Sequence, residues 1–317
     1  MSQFSNSPET AKHLTKFKRK IKKQRPFAFA VAVLICAVAW LVGAYLVNGS
    51  AQPGDATMLV SSGLSADSDN QHYPTPHHQA TFMTLTFSQL AEKSNDHLLL
   101  VNMDYAVPGY IAGSKDRIAG YVTALSPDML LNEDALVMLR AMFDSAAGVG
   151  FNQFRVTQGY RTHEYQQDLY DRMAGTGLAA RPGHSEHQVG LAVDISYHGV
   201  NIGNSRQGQW LMNYSYRYGF ILRYPEHKTD ITGVPFEPWH YRYVGQPHAY
   251  FMTQGDIVLE EYIALLRKNR EIAVTFEGVE FSIHYLAHEY ESVDIPEGNL
   301  FWASRDNTGG VIVTVWN

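Results

Sequence analysis

The chain has 317 residues, 45% of them hydrophobic, which leaves room for one substantial domain with a buried core plus accessory segments. Its formal net charge of -6 is unevenly spread: eight of the 25 Lys and Arg precede residue 26, and the remainder carries 17 basic against 30 acidic residues. An acidic body excludes a partner bound through its phosphate backbone, so no nucleic acid is expected.

Residues 1–25 are polar and basic. Residues 27–47 form an unbroken apolar run without a charge. As a helix this run reaches about 31 Å, enough to cross a hydrocarbon core. The basic cluster lies on one side only, which places the N-terminus in the cytoplasm and everything after the run outside it. The competing reading is a cleaved signal peptide ending near Gly49-Ser50-Ala51. The run is longer than a signal core, which favours an uncleaved transmembrane helix over 26–48. Cys36, the single cysteine, lies inside this run, so no intrachain disulfide forms. Residues 49–81, rich in Gly, Ser, Asp, Pro and His, read as a flexible linker.

Order is expected to return with a short helix over 84–94 and a strand over 97–102. Asn132-Glu133-Asp134 caps a helix running to about 147, and 152–158 reads as a strand. Gly159-Tyr160-Arg161-Thr162 follows, placing Arg161 at the strand end, and 163–173 is a polar helix carrying Gln166. Residues 191–195 form an apolar strand, 208–218 a helix and 220–225 a strand ended by its proline. Helix 256–268 precedes short alternating strands at 272–276, 280–285 and 311–315, read as a small C-terminal β module over 271–317.

The chemistry concentrates in Pro182-Gly183-His184-Ser185-Glu186-His187-Gln188-Val189-Gly190-Leu191-Ala192-Val193-Asp194. Zinc accepts imidazole nitrogen and carboxylate oxygen, and a catalytic zinc takes three protein ligands with one position open. His187 arrives from a Gly-broken loop and Asp194 from the strand after it. His184 is a decoy three residues from His187; the Gln and Gly after His187 lead directly to the aspartate strand and favour it. Glu237-Pro238-Trp239-His240 supplies His240 as third ligand and Glu237 as base. Pro238 holds Glu237 in extended geometry, so that pair lies on a strand or loop, not a helix. A positive metal centre polarises water, Glu237 takes its proton, and Arg161 stabilises the oxyanion formed on an amide carbonyl.

Together with Tyr218-Gly219-Phe220-Ile221-Leu222-Arg223-Tyr224-Pro225 and Arg242-Tyr243-Val244-Gly245, these segments resemble the zinc D,D-carboxypeptidases of the VanY type. That group shares a peptidase family with the D-Ala-D-Ala dipeptidases and a fold like the hedgehog signalling domain. The resemblance covers about residue 96 to the C-terminus. It implies an α+β zinc domain over 82–270, an antiparallel sheet with flanking helices, and Zn2+ on His187, Asp194 and His240. It also implies Glu237 as general base, Arg161 as oxyanion stabiliser, and Ser185 and Gln166 as contacts to the substrate's terminal residue and its carboxylate. Competing structural readings are Ser185 as a cap of the loop and Arg161 as a buried ion-pair partner.

The activity so implied is removal of the C-terminal D-Ala from peptidoglycan pentapeptide stems or lipid-linked precursors ending in D-Ala-D-Ala, by a membrane-anchored enzyme contributing to vancomycin resistance. The alternatives are an L,D-carboxypeptidase acting on tetrapeptides, a dipeptidase acting on free D-Ala-D-Ala, against which the membrane anchor argues, and a non-catalytic cell-wall-binding zinc module.

Overall fold

The structure, a computed structural model, describes residues 81–176, 179–198, 200–203 and 205–317. The basic tail, the apolar run and all but Thr81 of the expected linker lie outside the described residues. Among the described residues no helix is long and apolar enough to cross a membrane.

The elements, in order, are β1 (Phe82–Thr86), α1 (Phe87–Glu92), β2 (Lys115–Arg117), β3 (Leu130–Asn132), α2 (Glu133–Gly148), β4 (Phe154–Gln158) and α3 (His163–Arg172). Then come β5 (Ala192–Tyr197), β6 (Val200–Asn201), α4 (Arg206–Tyr214), β7 (Phe220–Leu222), α5 (Thr229–Thr232) and β8 (His240–Tyr243). Last are α6 (Gln246–Gly255), α7 (Leu259–Asn269), β9 (Glu271–Phe276), β10 (Val279–Leu286), β11 (Ser292–Pro296), β12 (Leu300–Arg305) and β13 (Val311–Trp316). The named strands pair antiparallel throughout, giving a mixed helix-and-sheet fold of the expected α+β kind.

The sheet that matters for function runs β4-β5-β8-β7, with β6 added on β5. Its central strand β5 is buried along its first five residues, as an apolar run with covered faces requires. The register sets Asp194 opposite His240 on β8 and opposite Gln158 on β4. Asn132 caps α2 by accepting from the amides of Asp134 and Ala135, and the helix buries Leu136, Leu139, Met142 and Phe143. Gly190, with φ +83°, ends the loop before β5 in the left-handed region that favours glycine.

A second sheet runs β12-β13-β10-β9. Its β9–β10 turn has positive φ at both Glu277 and Gly278, which fits the twist of a two-residue hairpin. Its inner face packs with α6 and α7 in one core: Val274, Phe281 and Ile283 meet Met252, Tyr262 and Leu266. The expected boundary at 270/271 therefore falls between two elements that share a core.

Two expectations are corrected. The 84–94 helix is shorter, Phe87–Glu92, because Phe82–Thr86 pairs with β11 as a strand. Thr86 then caps the helix in a box with Gln89. Residues 97–102 are no strand, although Leu98, Leu99, Leu100 and Val101 are almost fully buried. Their backbone is satisfied by side chains and loops instead: the Leu98 amide donates to Ser304 Oγ, and the carbonyls of His97 and Leu99 accept from Arg242.

Candidate active site

Three elements bring the expected ligands together. His187 sits in a single 3-10 turn, Glu186–Gln188, just before Gly190. Asp194 is the third residue of β5, and His240 opens β8 directly beside it. One ligand atom from each of the three lies within 4.8 Å of the other two. His187 Nε2 is 3.4 Å and His240 Nδ1 is 3.1 Å from Asp194 Oδ1. Despite these neighbours, the buried Oδ1 has no hydrogen-bond partner. An orphaned carboxylate oxygen facing two imidazole nitrogens is costly without a cation, and the donor set suits zinc. The residues fit the metal.

The far nitrogen of each imidazole is held by the protein. His187 Nδ1 lies 2.8 Å from the carbonyl oxygen of Gly159, the residue just past β4. His240 Nε2 lies 3.4 Å from Glu186 Oε2. Such outer partners fix ring orientation and leave the opposite nitrogen for a metal. Tyr224 packs its ring 4.8 Å from that of His240.

Glu237 stands at the mouth, its Oε2 3.6 Å from His240 Nδ1. The turn into β8 puts it there: the His240 amide donates to the Glu237 carbonyl, and the Glu237 amide donates to the Tyr224 carbonyl. Pro238 cannot donate and keeps the residue before it extended. Arg161 follows the end of β4, with Nη2 3.6 Å from Asp194 Oδ2. Its guanidinium is held by Gln158 Oε1 at 3.3 Å and Gln166 Oε1 at 3.2 Å.

Gln166 is the one buried residue of α3, and its Nε2 donates to the Ala180 carbonyl at 2.7 Å. Both ends of its amide are therefore engaged within the protein. Ser185 is buried beside the turn and makes no side-chain cap, which disposes of the capping reading. His184 lies outside the triad: its Nδ1 is 2.7 Å from the Asn102 carbonyl oxygen.

The site's electrostatics follow from burial opposed by neighbours. Burial pushes the Asp194 carboxyl up, but the two histidines outweigh it and hold the group far below the usual carboxylate range. For His240, burial favours the neutral ring, yet the adjacent Asp194 and Glu186 carboxylates raise it to about 9 in the metal-free site. Burial dominates at His187, lowering it, with Arg161 adding to that effect. Burial likewise raises Glu237, with the Asp194 charge contributing.

One important residue went unnoticed in the sequence. Glu186 is fully buried between Arg223 and Arg242, both of which donate to its Oε1 at 2.8 Å. The signal available was an acid directly before a ligand histidine, with two arginines inside otherwise apolar strand sequences at Phe220-Ile221-Leu222-Arg223 and Tyr241-Arg242-Tyr243.

Comparison with known proteins places the chain in a family. The VanY model, described as D-alanyl-D-alanine carboxypeptidase, matches residues 128–246, which contain every site residue named above. A D-alanyl-D-alanine carboxypeptidase of Enterococcus faecium is 33% identical over 228 residues, covering 69% of this chain and 75% of the relative. A D-alanyl-D-alanine carboxypeptidase of Enterococcus faecalis is 30% identical over 279 residues, covering 82% of this chain and 97% of the relative. The crystal structure of the vancomycin-resistance D,D-dipeptidase VanXYg with a D-Ala-D-Ala phosphinate analogue superposes with a TM-score of 0.63 at 27% identity, covering 75% of this chain and all of that one. On the matched site segment and on relatives spanned over most of their length, the chain belongs to the VanY family of D-alanyl-D-alanine carboxypeptidases and is a metallocarboxypeptidase.

Proposed function

We propose that this chain is a zinc D,D-carboxypeptidase that removes the C-terminal D-Ala from peptidoglycan pentapeptide stems or their lipid-linked precursors. The observation that carries this reading is the orphaned Asp194 Oδ1 flanked by His187 Nε2 and His240 Nδ1, with Glu237 beside them. A metal held by these three residues supplies a Lewis acid that polarises water and the scissile carbonyl.

The chain's own residues supply the rest. Glu237, raised by burial, is poised to take the proton of the attacking water and pass it to the leaving amine as the amide C–N bond breaks. The products are free D-Ala and a shortened stem. Arg161 presents a fixed guanidinium to the negative charge that grows on the carbonyl oxygen. The Ser185 hydroxyl, free of any capping bond, is available to the substrate's terminal residue. Gln166 acts by holding Arg161.

The apolar run over 27–47, with basic residues on one side only, is proposed to anchor the enzyme in the cytoplasmic membrane with its catalytic part outside. Removing the D-Ala-D-Ala end would lower the target of vancomycin-type antibiotics, consistent with a role in resistance.

The test is D-Ala release by the full chain from penta- and tetrapeptide stems, with and without a zinc chelator. Release from pentapeptide that stops with chelator, returns with zinc and fails in Glu237→Ala supports the reading. Turnover of tetrapeptide alone would move the specificity to L,D-cleavage. Inhibition by a β-lactam but not by chelator would overturn the metal mechanism.

A further inference from the structure

We infer that Glu186 is the positioning residue that sets His240 for the metal, and that Arg223 and Arg242 act on the site through it. This rests on the metal-site reading above and deepens it.

The argument lies in how the two carboxylate oxygens are divided. Arg223 Nε and Arg242 Nη1 both donate to Oε1, each at 2.8 Å. Oε2 is left to the imidazole, 3.4 Å from His240 Nε2. A carboxylate only accepts, so in the neutral ring that a metal requires, the nitrogen facing Glu186 keeps its hydrogen, and Nδ1, on the side of Asp194 and Glu237, is the one that gives up its proton. The arginines are fixed in turn. Arg242 Nη2 donates to the carbonyls of His97 and Leu99, and Arg223 holds Glu260 of α7 through Nη1 and Nη2. Glu186, Arg223 and Arg242 are all fully buried. With Glu260 the group is charge-balanced, two carboxylates against two guanidiniums, so nothing drives Glu186 to give up its charge.

The isosteric change Glu186→Gln exposes this role. The arginines demand an oxygen, so the amide oxygen stays with them and the amide NH2 turns toward His240. Two donors then face each other, and relief comes from moving the imidazole proton to Nδ1, the atom the metal needs. Glu260→Gln also removes one charge from the group but leaves the oxygen facing His240 in place. A purely structural role for Glu186 would make the two variants alike.

Zinc affinity of the full chain, measured by competition with a chromogenic chelator, separates these cases. Glu186→Gln is expected to weaken binding about 10- to 100-fold, the usual effect of losing an outer partner of a ligand histidine. Glu260→Gln should stay within about threefold of the parent by the same comparison. Equal affinities for parent and Glu186→Gln, or equal losses in both variants, overturn the inference. Should Glu186→Gln fail to fold, the 15N shifts of His240 in the zinc-loaded parent decide: a protonated Nε2 supports the assignment, and a protonated Nδ1 ends it. A parent that binds no zinc overturns the reading of the site itself, and this inference with it.

Discussion

His187 and His240 offer opposite ring nitrogens to the same carboxylate oxygen: Nε2 of His187 and Nδ1 of His240 both face Asp194 Oδ1. The difference originates behind the rings. A backbone carbonyl at the end of β4 holds Nδ1 of His187, whereas a buried side-chain carboxylate holds Nε2 of His240. The first anchor is indifferent to most side-chain changes; the second is a titratable group inside a charge network. In the proposed metal site the two ligands would therefore be unequally protected, with His240 the one through which the rest of the protein would tune the metal.

This asymmetry predicts a pH dependence of metal binding. Binding requires neutral imidazole, and in the metal-free protein His240 is pushed up to about 9 while burial lowers His187. Zinc must displace the proton of His240, so affinity should rise roughly tenfold per pH unit up to about pH 9 and then level off. For the metal-free fold the sign reverses. A raised histidine contributes stability that is complete below its ordinary value of 6.5 and is lost as the pH rises through about 9. Melting of chelated protein should thus fall across that window while zinc affinity climbs. Affinity that is flat between pH 6 and 9 would show that this proton is not the competitor.

As the proposed base, Glu237 is expected to carry the pH dependence of turnover. Burial raises it above the ordinary glutamate value, so the acid limb of kcat/KM should lie above the ordinary glutamate range. Glu237→Gln should lower kcat by about 10²- to 10⁴-fold with zinc content unchanged. An intact kcat in a zinc-loaded Gln variant would move the base elsewhere.

The residues the structure brings together at the candidate site, His187, Asp194, His240 and Glu237, stand out in the sequence because each has a local context: a Gly-flanked loop, an apolar strand, and a proline that fixes its neighbour. What escaped detection depends on partners far along the chain. Phe82–Thr86 becomes a strand only by pairing with residues about 210 positions later, as the Thr84 hydroxyl bond to Asp294 shows. Residues 97–102 carry strand-like apolar sequence, yet Arg242 and Ser304 take their backbone groups. Glu186 has little signal of its own, because its partners lie far along the chain: Arg223, just past β7, and Arg242 of β8. Periodicity reports burial, and it is silent on who satisfies a buried polar group.

Gln166 offers a test between direct and indirect action. Its amide oxygen accepts from Arg161 and its amide nitrogen donates to Ala180. Gln166→Leu keeps the bulk but releases the guanidinium, and small misplacements of a positioning group cost up to about 100-fold in rate. The expected result is a kcat loss of about 10- to 100-fold with KM little changed. A large rise in KM at constant kcat would instead assign Gln166 to ground-state contact with the substrate.

Arg242 ties the metal site to the fold. It donates to Glu186, to the Tyr243 carbonyl and to the carbonyls of His97 and Leu99, all from a fully buried position. Arg242→Met would leave Glu186 with Arg223 alone and strip both carbonyls of the 97–99 segment of this donor. Breaking a buried pair from one side costs about 3–5 kcal/mol, which corresponds to a melting shift on the order of 10 °C for a domain of this size. Arg242→Lys should recover little, because a compact ammonium cannot reproduce a fork that serves four oxygens. Hydrogen exchange locates the damage: the Leu98 and Leu100 amides, donated to Ser304 Oγ and the Asp306 carbonyl, should lose protection before those of α2. Uniform loss across the domain would mean that Arg242 supports the core as a whole, with no particular hold on the segment behind the metal site.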